Sequence, residues 1–442
     1  MKKLINLYTI PVLLALTILP SCKKEYGNLN SPTVEEYLKN ASKGQLNGLV
    51  IGTLSGMRIS EGTYLDAVGV VGREIYRFSG ADPRFVTELL GSGTLTLNNS
   101  SFYLTNPWAA RYRGVKNCNV LIQAATNSTL VSAEEKKAYT GFAKTLKAYE
   151  LLKNLNLTYS NGIRIDVADP ENLGPILGYD ESIAAIAALL DEAKTDLAGS
   201  QLTFTLTPGF AATAVSPAFD DASGFTKFNR ALAARVDVYR KQWATALTDL
   251  SLSFLDLTGN FNVGVSEQFS TGSGDQLNPA YFQQNANGEV RLAHPTYVTQ
   301  IAANDDRIGK ATLRTTPASY PGSGLTGDRD VWVYKSSTAP IPIIRNEELI
   351  LIYAEANIQT DHFTEATNAI NTIRRGHNLP DYSGAATKAA LITEMLNQRR
   401  YSLFYEGHRW IDMRRYDLLP TLPKDRPDDD IWPAMPIPNT EL

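Results

Sequence analysis

Cysteine is scarce: Cys22 and Cys118 are the two in a chain of 442 residues. So few exclude a disulfide framework, and stability must come from the packed core. Histidine is also rare. His294, His362, His377 and His408 stand apart, none three to five residues from another, and no HExxH occurs. No metal site is therefore expected. A Gly-x-Ser-x-Gly nucleophile turn is missing. The Gly-rich stretch GSGD at 272–275 lacks the strand and helix pattern that flanks a phosphate loop. No cofactor is expected. A basic excess is missing too: 42 Lys and Arg face 46 Asp and Glu, for a net charge of -4. That balance excludes a protein built to hold a nucleic-acid backbone. Carboxylates abound, yet none is marked by the sequence as the acid or nucleophile of a glycosidase, which needs two at a set distance. What is plentiful is tyrosine, 21 against 15 Phe and 5 Trp. Such rings favour half-wet surfaces, where a face stacks and a hydroxyl bonds.

The most ordered stretch is Gln398 to Tyr416, QRRYSLFYEGHRWIDMRRY. Upstream, Leu391, Ile392, Met395 and Leu396 set a helical stripe that Leu403 and Phe404 continue. Arg399 and Arg400 fall on that stripe, and buried arginines need carboxylate partners. Glu406 lies seven residues past Arg399, on the same helical face, and Asp412 lies three past Arg409. Gly407 permits a turn and Trp410 supplies bulk to bury. The expectation is an ion-pair knot of Arg399, Glu406, Arg409 and Asp412 that ties the last helix to the domain. A catalytic cluster is the sharper reading; ion-pair networks gather charge in the same way.

The order Arg399-Arg400, Phe404-x-Glu406-Gly407-x-Arg409-Trp410-x-Asp412-x-Arg414-Arg415 resembles the C-terminal signature of the SusD/RagB family of nutrient-binding outer-membrane lipoproteins. Gln398 and Ser402 depart from it, standing where that family usually has glutamates. The Trp108, Tyr112, Val115, Asn119 and Leu121-Ile122 order is similar to the family as well. So is the segment around Lys147, which stands at the family's arginine. The tail WPAMPIPNTEL resembles the family's extended Pro-Ile-Pro end.

The chain starts MKKLINLYTIPVLLALTILPSC. Lys2 and Lys3 precede an apolar run, Leu4 to Leu19, that is short for a membrane span. Leu19-Pro20-Ser21-Cys22 reads as a lipobox, so residues 1–21 are expected to be a signal and Cys22 the lipidated residue. Lipid chains there would anchor the protein. Residues 22–33 are polar and turn-rich, a tether. Cys118 is then a lone, small buried hydrophobe.

Residues 34–442 are expected to form one mainly α domain. Helices are expected over 34–57, 107–125, 133–156 and 179–197. Ser132 and Glu135 make a capping box for the third, and Asp180 is the expected cap of the fourth. Two clearer pairs follow near 225–254 and 343–376. In each, a small residue of the first helix faces an alanine of the second: Ala234 with Ala246, Ala354 with Ala366. The twelve-residue spacing matches a tetratricopeptide-like pair, and the earlier helices make two more. The intervening stretches 58–106 and 257–342 read as loop-rich insertions, the first with at most a short strand. Long loops in a packed domain serve function or stay disordered.

A sugar site needs flat rings and polar groups for rim hydroxyls. The two insertions hold such residues. The first carries Asp66, Arg73, Arg84, Tyr103 and Asn106, the second Tyr281, Phe282, Tyr297, Tyr320, Trp332 and Tyr334. Trp108 belongs to the helical core. The family resemblance implies an α-helical SusD-like fold with four helix pairs, and a lipid-anchored outer-membrane protein. Its implied partners are an oligosaccharide and a SusC-like TonB-dependent transporter, capped with hinge closure. Binding, not catalysis, is the implied activity. Peptide cargo, as in the RagB branch, and a helical-repeat glycoside hydrolase are the alternatives.

Overall fold

The structure, a computed structural model, describes residues 34–441. The expected signal, Cys22 and the tether lie outside these residues. The opening helix is two helices, α1 (Val34–Asn40) and α2 (Lys43–Met57). Ser42 starts the second by a capping box with Gln45, a signal as local as the one at Ser132. There follow α3 (Glu61–Val71), β1 (Ile75–Ser79), the single turn α4 (Arg84–Thr87), α5 (Phe102–Asn127) and α6 (Ala133–Thr158). Next come β2 (Ile163–Arg164), β3 (Ile176–Leu177), α7 (Tyr179–Leu197), α8 (Ala222–Tyr239) and α9 (Trp243–Leu252). The second insertion holds β4 (Gly264–Glu267), β5 (Glu289–Ala293), α10 (Pro295–Gln300), β6 (Ala311–Ser319) and β7 (Thr326–Val331). The chain closes with β8 (Ile341–Arg345), α11 (Asn346–Gln359), α12 (Phe363–Gly376), α13 (Lys388–Ser402) and α14 (Arg409–Arg415).

Four helix pairs form the scaffold: α2 with α5, α6 with α7, α8 with α9, α11 with α12. Neighbouring pairs stack through α5–α6, α7–α8 and α9–α11, and α13 closes the row against α11. Small residues let the helices approach. Ala234, Ala246, Ala354 and Ala366 are all fully buried. Cys118 is free and buried inside the scaffold, and burial pushes its thiol up. Among the described residues no helix is long and apolar enough to cross a membrane.

Three sequence expectations need correction. The helix expected from Pro107 begins at Phe102 and carries Pro107 inside it. Tyr103 and Leu104 bury completely in that added turn, and their burial outweighs the backbone hydrogen bond that proline cannot make. The helix at 179 is capped by Gly178, and Asp180 sits in its first turn, where its charge still suits the helix dipole. The insertions are more ordered than loop-rich. α3 is buried on nearly every side, so it shows no amphipathic period to read. The strands assemble into a four-stranded sheet of order β1-β5-β7-β6, joining the first insertion to the second.

Candidate functional site

The ion-pair knot at the C-terminus forms with different partners from those expected. Arg399 Nε donates to Asp412 at 2.7 Å, and Arg415 reaches the other Asp412 oxygen at 2.9 Å. Arg415 also pairs with Glu355 at 2.7 Å, which in turn accepts from the Tyr416 hydroxyl at 2.7 Å. Glu406 does not meet Arg399. It takes Arg345 at 2.8 and 3.1 Å, and Arg345 also holds Glu347. The helix ends at Ser402, and Tyr405 and Gly407 adopt φ of 59° and 85°, so the helical projection that placed Glu406 beneath Arg399 is broken before it gets there. Arg409 also leaves the knot. Asp412 is filled by Arg399 and Arg415; burial, together with the nearby Arg400, lowers Arg409 to about 10. Burial raises the Asp412 carboxyl, but Arg399 and Arg415 outweigh it and hold Asp412 at about 2. Trp410 is buried and its Nε1 donates to the Trp432 carbonyl at 2.8 Å, pinning the extended tail.

Gln398 and Ser402 have a use. The Arg307 guanidinium donates to Gln398 Oε1 at 2.7 Å and to Ser402 Oγ at 2.9 Å. Asp305 supplies the charge, at 2.6 and 2.8 Å from the same guanidinium. Two neutral acceptors on α13 suffice because the carboxylate comes from the insertion. This joins the sheet region to the scaffold.

The sheet is where the insertions converge. β1 and β5 run antiparallel with Arg77 opposite Arg291 and Ser79 opposite Glu289, so these four side chains share one face. Two arginines directly opposite would repel; Asp66 of α3 lies between them. Arg291 donates to both Asp66 oxygens at 2.5 and 2.8 Å, Arg77 to one at 3.3 Å, and the Tyr405 hydroxyl adds a bond of 2.7 Å. The Phe282 ring is packed by both guanidiniums, Arg291 at 3.9 Å and Arg77 at 4.9 Å from its centroid.

At the open end of this face the groups turn toward solvent. Glu289 pairs with Arg77, accepts from Ser79 Oγ at 2.6 Å, and its side chain is 41% exposed. Burial raises its carboxyl, but Ser79 and Arg77 outweigh that and hold it below the ordinary value. Arg84 is bound by both oxygens of Asp82, at 2.9 and 2.6 Å, and lies 4.6 Å over the Phe102 ring. Asn106 lies one turn beyond Phe102 on α5 and is exposed. Arg84 and Asn106, both expected from the sequence, thus meet around a half-buried phenylalanine.

Other expected ligand residues are placed differently. Asp66 is the buried bridge just described, with its oxygens occupied. Arg73 is 2% exposed and spends its donors on the carbonyls of Val70, Leu90, Pro423 and Asp430. Tyr103 is fully buried; its hydroxyl donates to Glu88 at 2.7 Å and accepts the Asn98 N–H at 2.8 Å. All three are fastenings of the insertion. Tyr320 is half-buried on the opposite sheet face, 5.7 Å from Phe78. Tyr281 and Trp332 form a half-buried pair, centroids 6.1 Å apart. The sequence reading missed Asp82, Phe102 and Glu289. Phe102 had a signal, its position one turn before Asn106. Glu289 had none, since its partners are 212 and 210 residues away.

A cavity of about 30 Å³ lies elsewhere, inside the scaffold, lined by Glu61, Tyr149, Lys153 and His408 among others. It has room for a water or two and none for a sugar. Among the described residues no three His, Cys, Asp or Glu side chains are grouped to hold a metal.

A row of stacked helix pairs, closed by a buried arginine–carboxylate knot and faced by a sheet of two insertions, defines a SusD-like architecture. Residues 281–438, which carry Phe282, Glu289, the knot and the tail, match the sequence model of the SusD family. Solved structures agree across the chain. A SusD superfamily protein of Parabacteroides distasonis has 16% identity and a TM-score of 0.67, covering 93% of this chain and 97% of that one. One of Bacteroides vulgatus has 17% identity and a TM-score of 0.64, covering 90% and 96%. The surface glycan-binding protein A of Bacteroides uniformis has 15% identity and a TM-score of 0.67, covering 90% and 97%. No curated protein matches in sequence. The chain therefore has a SusD-like fold, and its residues 281–438 match the SusD family model.

Proposed function

We propose that this protein captures oligosaccharides at a cell surface and delivers them to a SusC-like TonB-dependent transporter of the outer membrane. In this reading Cys22 carries the lipid that holds it there, and binding without bond cleavage is the whole activity. One observation carries the reading. Two strands more than two hundred residues apart in sequence, one from each insertion, pair as β1 and β5 into one face. Next to its open end, where Glu289 accepts from the Ala81 N–H at 3.4 Å, the half-buried Phe102 carries Arg84 and its partner Asp82, with Asn106 one turn on. A ring for a pyranose face and fixed polar groups for its hydroxyls are what a sugar site needs. Two structural neighbours add support: the surface glycan-binding protein A of Bacteroides uniformis, and a SusD-like carbohydrate binding protein of Bacteroides vulgatus, 16% identical with a TM-score of 0.64.

The test is incubation of purified protein with a panel of neutral hexasaccharides of glucose, xylose and mannose. Retention without new reducing ends is expected. Newly released reducing ends would contradict the reading and favour a helical-repeat glycoside hydrolase. Retention of peptides alone would move the cargo to the RagB-type reading, which the small tryptophan count, 5 in the chain, favours as the second choice.

A further inference from the structure

We infer that the ligand of the β1–β5 face is an uncharged oligosaccharide, and that uronate or sulfated sugars are disfavoured. The inference rests on the carbohydrate reading above and adds the class of sugar. Six charged side chains build the face, three of each sign: Arg77, Arg84 and Arg291 against Asp66, Asp82 and Glu289. Every one is already matched within the protein. Arg291 is held by Asp66 at 2.5 Å, and Arg77 lies between Asp66 and Glu289. Arg84, the most exposed cation of the set at 38%, has both oxygens of Asp82 along one edge and Phe102 beneath it.

An anionic sugar approaching this face meets each arginine already beside a carboxylate, so the attraction of the cation is offset by the repulsion of its partner. The surroundings add to that repulsion. Glu88, one turn from Arg84, is held by the hydroxyls of Ser101 and Tyr103 at 2.6 and 2.7 Å, and so adds a negative charge that no arginine of the face matches. Such built-in repulsion selects against anions. A neutral sugar meets no penalty. Its apolar ring face can lie against the stack of Phe102 and the Arg84 guanidinium, and its hydroxyls can donate to the outer lone pairs of Asp82 and Glu289 or bond Asn106. The paired charges fix the geometry and contribute little net field.

Binding of neutral hexasaccharides of glucose, xylose and mannose is compared by titration calorimetry with that of hexagalacturonate and a chondroitin sulfate hexasaccharide, at low and high salt. The wild-type protein is expected to bind a neutral sugar with an affinity indifferent to salt and to bind both anionic sugars measurably but at least about tenfold more weakly. Asp82→Asn frees the Arg84 charge. It should raise affinity for hexagalacturonate by up to about fivefold at low salt, a gain that high salt removes. A thermal melt matched to wild type shows that the variant folds, and Arg84→Gln, which should show no such gain, serves as its control. Tighter wild-type binding of either anionic sugar than of the neutral ones overturns the inference while leaving the carbohydrate reading intact. Binding of no sugar, with retention of peptides, overturns the carbohydrate reading and the inference together.

Discussion

Asp412 shows most clearly how single residues carry this fold. It receives Arg399 and Arg415 in the interior, at 2.7 and 2.9 Å. Removing the carboxylate leaves two buried guanidiniums short of a partner, so Asp412→Ala should cost about 3–5 kcal/mol in urea unfolding. Buried carboxylates also set an acid limit. Asp412, and Glu348 of α11, which accepts from Arg235 at 2.6 Å, are both held at about 2 in the folded protein, below ordinary carboxylates. A depressed value means the stabilisation is present above the unfolded pKa and disappears as pH falls from about 4 toward 2. Unfolding midpoints measured across that window should drop steeply. Glu267 has the opposite sign. Burial, then the charge of Glu61, raises it to about 8, and neither of its oxygens has a hydrogen-bond partner. The folded state keeps a proton that the unfolded chain releases, so Glu267 destabilises increasingly as pH rises from the ordinary carboxylate range through 8. Glu267→Gln should therefore raise the melting temperature at pH 9 and change it little at pH 5; an equal change at both would show that the group is ionised throughout. At this scale the sequence told that Arg399 and Asp412 belong to a buried charge network, because helical spacing put Arg399 on an apolar stripe and buried arginines need carboxylates. It could not tell that Glu406 belongs to Arg345, 61 residues away, since no periodicity reaches across that distance.

Elements were legible where their signals are local. Capping at Ser132 and the alanine spacing of the α8–α9 and α11–α12 pairs needed nothing beyond a few neighbouring residues. α3 and the four-stranded sheet were not legible. A helix buried all round has no polar face to mark its period, and β1 finds its partner β5 more than two hundred residues on. The candidate site inherits the same division. Arg84 and Asn106 were readable as polar groups in an insertion, whereas Asp66, Arg73 and Tyr103 look the same in sequence and turn out to fasten that insertion from inside. The helix pairs themselves can be tested at Ala354. It is fully buried, so Ala354→Leu should overpack the pair and cost about 1–3 kcal/mol. A stability equal to wild type would mean that α11 and α12 do not pack closely there.

At the scale of the whole molecule, a row of helix pairs locked by the knot holds out the sheet face proposed to bind sugar. The most direct measurement is calorimetric titration of the neutral hexasaccharides into wild-type protein and into an Arg84→Ala, Phe102→Ala double variant, with a thermal melt of each. The account predicts a sugar affinity that the double variant loses by at least about tenfold, from the stacked ring and the polar rim together, while its melting temperature stays within a few degrees. An affinity that survives both substitutions in a folded protein would place the sugar elsewhere and contradict the account.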